Sequence, residues 1–155
     1  MDGLDRKILQ ALQADGRRKN ADLARELGVA ASTVLERVRR LEERGLIRGF
    51  RAIVDPRSLG LHVQALVSVT LGRHSADTIR PFEQGVLEIP HVRACYHVAG
   101  RFDYILHVAA KDLDHLGRLI KTRIAAIPGV DKSESFLVFS EIKNDAGWPI
   151  ELNDE

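Results

Sequence analysis

An α+β chain in two parts is what these 155 residues predict: an N-terminal winged helix-turn-helix followed by a C-terminal ferredoxin-like βαββαβ domain. Three observations predict it. Apolar residues recur at helical spacing through the first 45 positions. Strand and helix patterns then alternate in the order β-α-β-β-α-β from about residue 63 to 142. Finally, the net charge of +1 divides unevenly, +4 over residues 1–60 and −3 over 61–155, as for two parts with different partners.

Leu4, Ile8, Leu9 and Leu12 share one helical face until Asp15-Gly16 ends the run. Asn20 is placed to cap a short second helix, whose inner face is Leu23, Ala24 and Leu27. Gly28 supplies the following tight turn. A longer helix is predicted from about Ala31 to Arg44, stopped by Gly45. Its apolar stripe is Val34, Val38 and Leu41; Thr33, Glu36, Arg37, Arg40 and Arg44 are assigned to the opposite face. Leu46 to Val54 alternates as β-structure does and is read as the wing. Residues 55–62, with Pro56, Ser58 and Gly60, read as a linker.

In the second half, Ala65, Val67, Val69 and Leu71 alternate with Leu66, Ser68 and Thr70, a half-buried strand. A helix over 75–88 carries Ile79, Phe82 and Val86 on one face. Val92–Ala99 and Tyr104–Ala110 are strands around the turn Gly100-Arg101-Phe102-Asp103. A helix from about Asp112 to Ile127 and a strand from about Lys132 to Ile142 complete the pattern. The expected domains are therefore 1–54, with the helix-turn-helix at about 20–39, a linker at 55–62, and the ferredoxin-like domain at 63–143; a polar, loose tail fills 144–155. One sheet face in this arrangement has no helix over it, which predicts burial against another copy.

Composition excludes several classes. With 45% hydrophobic and 29% charged residues, the chain reads as globular rather than disordered. No apolar run approaches the roughly 18–20 residues of a membrane helix, and Met1-Asp2-Gly3-Leu4-Asp5 lacks signal-peptide features. A single cysteine, Cys95, cannot form an internal disulfide, so a reducing, cytoplasmic location is expected. His62, His74, His91, His97, His107 and His115 show no metal-site spacing, so no metal and no catalytic residue is assigned. His97 and His107 lie on the two hairpin strands, where they are candidates to face each other. Cys95 reads as a small buried hydrophobe, and Trp148 as an anchor or a chance contact of the tail.

Helix, short helix, glycine turn and longer helix make a helix-turn-helix, whose last helix enters the DNA major groove. The chemistry suits that place. Ser32, Thr33 and Glu36 sit at its leading end, where base contacts concentrate; Arg37 and Arg40 suit phosphates or guanine edges; Arg18 and Lys19 are placed to clamp the backbone. Charges from Arg37 to Arg44 also fit a solvated face of i,i+4 pairs, and the helix spacing rather than the charge decides for DNA.

Three stretches carry a resemblance: Leu4-Asp5-Arg6-Lys7-Ile8-Leu9, Asn20-Ala21-Asp22-Leu23-Ala24, and Val34-Leu35-Glu36-Arg37-Val38-Arg39-Arg40-Leu41-Glu42-Glu43-Arg44-Gly45-Leu46-Ile47. Together they resemble the Lrp/AsnC regulators, the feast/famine transcription factors. Val98-Ala99-Gly100-Arg101-Phe102-Asp103-Tyr104 resembles that family's Gly-x-x-Asp-Tyr signature, and Ile127-Pro128-Gly129-Val130 matches too, so the likeness runs to about residue 143. It implies an amino acid effector bound at contacts between dimers, with no other cofactor. It also implies that the strand near Phe50–Val54 pairs with its counterpart in a second subunit. Homodimers through facing sheets would assemble to tetramers or octamers. Ala30 departs from the family's common Ser, a helix-capping residue.

For the effector, Gly100, Arg101 and Asp103 are the candidates: turn N–H groups or Arg101 for the carboxylate, Asp103 for the ammonium. The alternative is that Gly100 only meets turn geometry and Asp103 only caps the turn. Position against the family adds Leu113, Phe136, Leu137 and Val138, for which plain packing is the alternative. Two other functions compete. Sirohaem decarboxylases, enzymes acting on a tetrapyrrole, resemble the same layout, and an assembly module without DNA binding would share it.

Overall fold

The computed structural model describes residues 1–72, 75–143 and 147–152. The chain divides into two compact units, Met1–Ile53 with Ile142–Glu155, and Val54–Glu141.

In the first unit, helix α1 (Gly3–Ala14) opens with a reciprocal capping box. The Asp5 N–H donates to the Asp2 carboxylate at 2.9 Å, and the Asp2 N–H donates to the Asp5 carboxylate at 3.1 Å. Helix α2 (Asn20–Leu27) has Lys19 at its cap, with no side-chain bond, so Asn20 lies inside the helix instead of capping it. Gly28, at φ 68°, ends α2 in the left-handed region that favours glycine. Helix α3 (Ala31–Glu43) has Ala30 at its cap, whose methyl group offers no oxygen to the free N–H groups. Ile8, Leu12, Leu23, Ala24, Val34 and Leu41 form the core where the three helices meet. Each large side chain fully buried there contributes about 1.5–3 kcal/mol.

The alternating segment 46–54 forms no strand. A strand needs a neighbouring edge for its N–H and C=O groups, and the described residues of this chain offer it none. Phe50 and Ile53 are left exposed. The described part of the tail is not loose. The Gln13 side-chain amide donates to the Trp148 carbonyl at 2.8 Å and accepts from the Trp148 N–H at 2.7 Å. The backbone makes this anchor, since the indole is exposed. Gly147 is required beside it: its φ is 86°, and a Cβ there would lie 2.5 Å from Gln13 Oε1. Residues 144–146 and 153–155, and His74, lie outside the described residues.

The second unit begins with a short turn at Arg57–Leu59, in the segment expected as a linker; the Ser58 N–H donates to Asp55 at 2.9 Å. Next come β1 (Val63–Leu71), α4 (Ala76–Leu87), β2 (Val92–His97), β3 (Tyr104–Ala110), α5 (Leu113–Leu119) and β4 (Val130–Leu137). The sheet is antiparallel with order β2-β3-β1-β4, as a βαββαβ chain requires. Ala65, Val67, Val69 and Leu71 alternate into the core, joined by Leu106, Val108, Phe82 and Ile124. On the other face Leu66, Tyr96 and Phe136 stay exposed.

Two boundaries differ most from expectation, while β2 stops at His97, two residues before the expected Ala99. The helix expected over 112–127 passes into a π-turn at Ile120–Ile124. The apolar series Leu116, Leu119, Ile124, Ile127 explains it: one step of five residues must be absorbed to bring Ile124 inward. Strand β4 ends at Leu137 instead of near Ile142, because β1 runs out opposite it; the Val138 N–H makes the last such bond, to Gln64 at 2.9 Å.

Candidate nucleic-acid interface and effector turn

Helix α3 turns Val34 and Leu41 into the core, so the residues about half a turn away face solvent. Ser32, Leu35, Glu36, Arg39 and Arg40 are exposed there; Thr33 is half-buried at the margin. Arg39 donates to Glu43 at 2.8 Å, an i,i+4 pair. Ser32, Glu36 and Arg40 make no ion pair or hydrogen bond through their side chains among the described residues. At the start of α2 Lys19 is exposed, whereas Arg18 is paired with Glu26.

Arg37 is not on that outward face. Its position is only about 60° around the helix from the Val34 direction. Its guanidinium reaches back to α1, paired with Asp2 and bonded to Asp5 at 3.0 Å. Asp5 is buried. The Asp5 N–H and the Arg37 guanidinium hold the Asp2 carboxyl below its ordinary 3.8. Arg37 thus locks α3 against the capped end of α1. Sequence reasoning missed these acids, although the Asp2-x-x-Asp5 capping spacing and the helical angle of Arg37 carried the signal.

In the sheet unit, Gly100 has φ 135° and open space around its Cα, so the turn is accessible there. Arg101 donates to Glu134 at 3.2 Å and lies over the Phe102 ring at 5.1 Å. Phe102 meets Phe136 edge-on, with ring centroids 6.4 Å apart. Glu134 also pairs with Lys132 at 2.9 Å, and Lys132 first, then Arg101, keeps its carboxyl below the usual range. Gly100, Arg101 and Phe136 therefore gather around one corner of the sheet.

Asp103 points elsewhere. It is buried, and its carboxylate accepts the Leu71 N–H at 2.6 Å, which finishes the end of β1. Instead of standing open to solvent in its turn, the group is spent inside the fold. Leu113 opens α5 beyond the far end of β3, about 20 Å from the turn by strand rise. Leu137 and Val138 continue β4 away from that corner.

His91 and His115 meet edge-on, with ring centroids 4.8 Å apart, whereas the two hairpin histidines stay apart. Register puts His107 opposite Ala94 and His97 opposite Tyr104, on opposite faces, so the two do not meet. His97 stacks on Tyr104 at 4.7 Å, and Tyr104 donates to Glu83 at 2.9 Å. Burial, then Glu83, pushes the Tyr104 hydroxyl up to about 12. Cys95 is exposed rather than buried, yet partial desolvation and then Glu83 raise its thiol to about 11, far from thiolate chemistry. No group of three or more His, Cys, Asp or Glu among the described residues is placed to hold a metal. No helix among them is long and apolar enough to cross a membrane.

A helix-turn-helix with an outward polar recognition helix, in one chain with a ferredoxin-like sheet unit, defines a two-domain transcription regulator. The chain belongs to the Lrp/AsnC family of DNA-binding transcriptional regulators: residues 1–42 match the AsnC-type helix-turn-helix domain and residues 64–148 the Lrp/AsnC ligand binding domain. The leucine-responsive regulatory protein of Escherichia coli is 34% identical over 143 residues, covering 92% of this chain and 87% of that one. A transcriptional regulator from Neisseria meningitidis, solved as a complex with L-Met, superposes with a TM-score of 0.90 at 31% identity, over 96% of each chain. An AsnC family regulator from Agrobacterium tumefaciens gives a TM-score of 0.89 at 34% identity, over 96% of this chain and 97% of that one.

Proposed function

We propose that α3 docks on operator DNA with Ser32 and Glu36 toward base edges, Thr33 at the groove wall, and Arg40, Lys19 and Arg18 on phosphates. The observation that carries this reading is the outward face of α3, where Ser32, Glu36 and Arg40 stand without ion pairs among the described residues. Arg37 serves the interface indirectly, by fixing the angle of α3.

The sheet unit is the amino acid sensor. Arg101 takes the carboxylate at the turn that begins with Gly100, and Phe136 lines the side chain. Glu134, partly exposed beside Arg101, is better placed than the buried Asp103 to receive the ammonium. Leu113, Leu137 and Val138 respond through packing. The likeness to a regulator solved with L-Met supports an amino acid as the class of ligand. Copies pair through the exposed Leu66, Tyr96 and Phe136 face, and dimers assemble further to tetramers or octamers. The protein acts in the cytoplasm as a regulator and not as an enzyme, in keeping with its regulator relatives.

Fluorescence anisotropy on a duplex from the gene's own upstream region, at two salt concentrations with and without the twenty amino acids, tests both halves. Salt-sensitive, sequence-selective binding altered by an amino acid is expected. Binding unaltered by any amino acid would remove the sensor, and no selective binding to any duplex would remove the DNA interface.

A further inference from the structure

We propose that Leu35 is a specificity-determining residue that recognises a thymine by its C5-methyl group; this rests on the DNA-binding reading above. Leu35 is 58% exposed and takes no part in the helical unit's core. It sits about 100° around α3 from Val34, on the same facet as Ser32 and Arg39. Two cations near that facet are held by acids. Arg37 is drawn under the helix by Asp2 and Asp5. Arg39, one turn beyond Leu35, is drawn toward Glu43 and does not fold over the leucine. Ala31 and Ser32, one turn before it, are small and exposed, so the start of α3 can approach a groove closely. What remains to meet base edges is an isobutyl group between a hydroxyl and a carboxylate. In the major groove the apolar feature is the thymine methyl, while the Glu36 carboxylate next to it suits a cytosine amino group.

The test uses the full-length protein and a duplex selected by the wild type from a random pool. Each thymine is replaced singly by deoxyuridine, which removes only the methyl. For the wild type, one thymine per half-site is expected to cost about fourfold in affinity, the worth of one buried methyl group. Leu35→Ala, an exposed change that favours helix, is expected to bind more weakly and to show equal affinity for thymine and uracil at that position. Leu35→Met should keep part of the discrimination. A wild type indifferent to every uracil, or Leu35→Ala with an unchanged uracil profile, would overturn the assignment while leaving DNA binding intact. A shift in assembly size for Leu35→Ala with an unchanged uracil profile would also overturn it, placing Leu35 against a second copy. Failure of the wild type to select any duplex would overturn the DNA reading itself, and this inference with it.

Discussion

The helical unit and the sheet unit each bury a carboxylate, and they spend it differently. Asp5 sits at the rim of the helical core, where it both caps α1 and bonds Arg37 of α3. Asp103 sits in the seam of the sheet, where it accepts a backbone N–H at the end of β1. One acid ties two elements through a partner that still touches solvent, since the Arg37 side chain is 25% exposed. The other satisfies a buried backbone donor, for which water is no substitute. The difference teaches that a charged residue within a functional motif is first a strut, and becomes a ligand contact only if the fold leaves it unspent.

The largest expected effect follows from the sheet. Asp103→Ala leaves the Leu71 N–H buried without this acceptor and should destabilise the sheet unit by about 2–3 kcal/mol in urea denaturation. An unchanged midpoint would mean that Asp103 is not a strut.

The helical unit should be more forgiving. Arg37→Ala should lower the urea midpoint by less than Asp103→Ala does, because water reaches part of the pair and Asp5 keeps its capping bond. It should also weaken DNA binding while leaving the salt dependence of affinity unchanged. Arg40→Ala should do the reverse, leaving stability alone and lowering the slope of log affinity against log salt by about one. Should the two variants change the salt slope equally, Arg37 contacts phosphate after all.

Acidification sharpens the comparison more gently. Burial, and then the nearby Arg93, push the His107 imidazole below its ordinary 6.5, while its ring is 2.8 Å from the Gln64 side chain. Just below pH 6.5 the unfolded chain therefore binds more protons than the folded one, and stability falls as pH falls. The urea midpoint of the sheet unit should drop between pH 7.5 and 5.5, and His107→Gln should flatten that drop. The smallest effect should come from Gly147→Ala, which pushes a Cβ into the Gln13 amide and frees the tail from α1. A change in Trp148 fluorescence without a change in midpoint would report it.

Periodicity determined a great deal by itself. Val34, Val38 and Leu41 at helical spacing, and Ala65, Val67, Val69 and Leu71 at alternate positions, name the core faces because burying apolar side chains forces those periods. The exposure of Ser32, Glu36 and Arg40 follows from the same helix geometry. Tertiary structure alone decided the rest. Alternation over 46–54 marks a strand only if an edge is present to receive it, and a pattern in one segment cannot report its partner. Arg37 and Asp103 have the composition of ligand contacts, yet Asp5 lies 32 residues from Arg37, and Leu71 32 residues from Asp103. Such pairings depend on which distant groups the packing brings within 3 Å or so, and hydrogen bonds act only at that range.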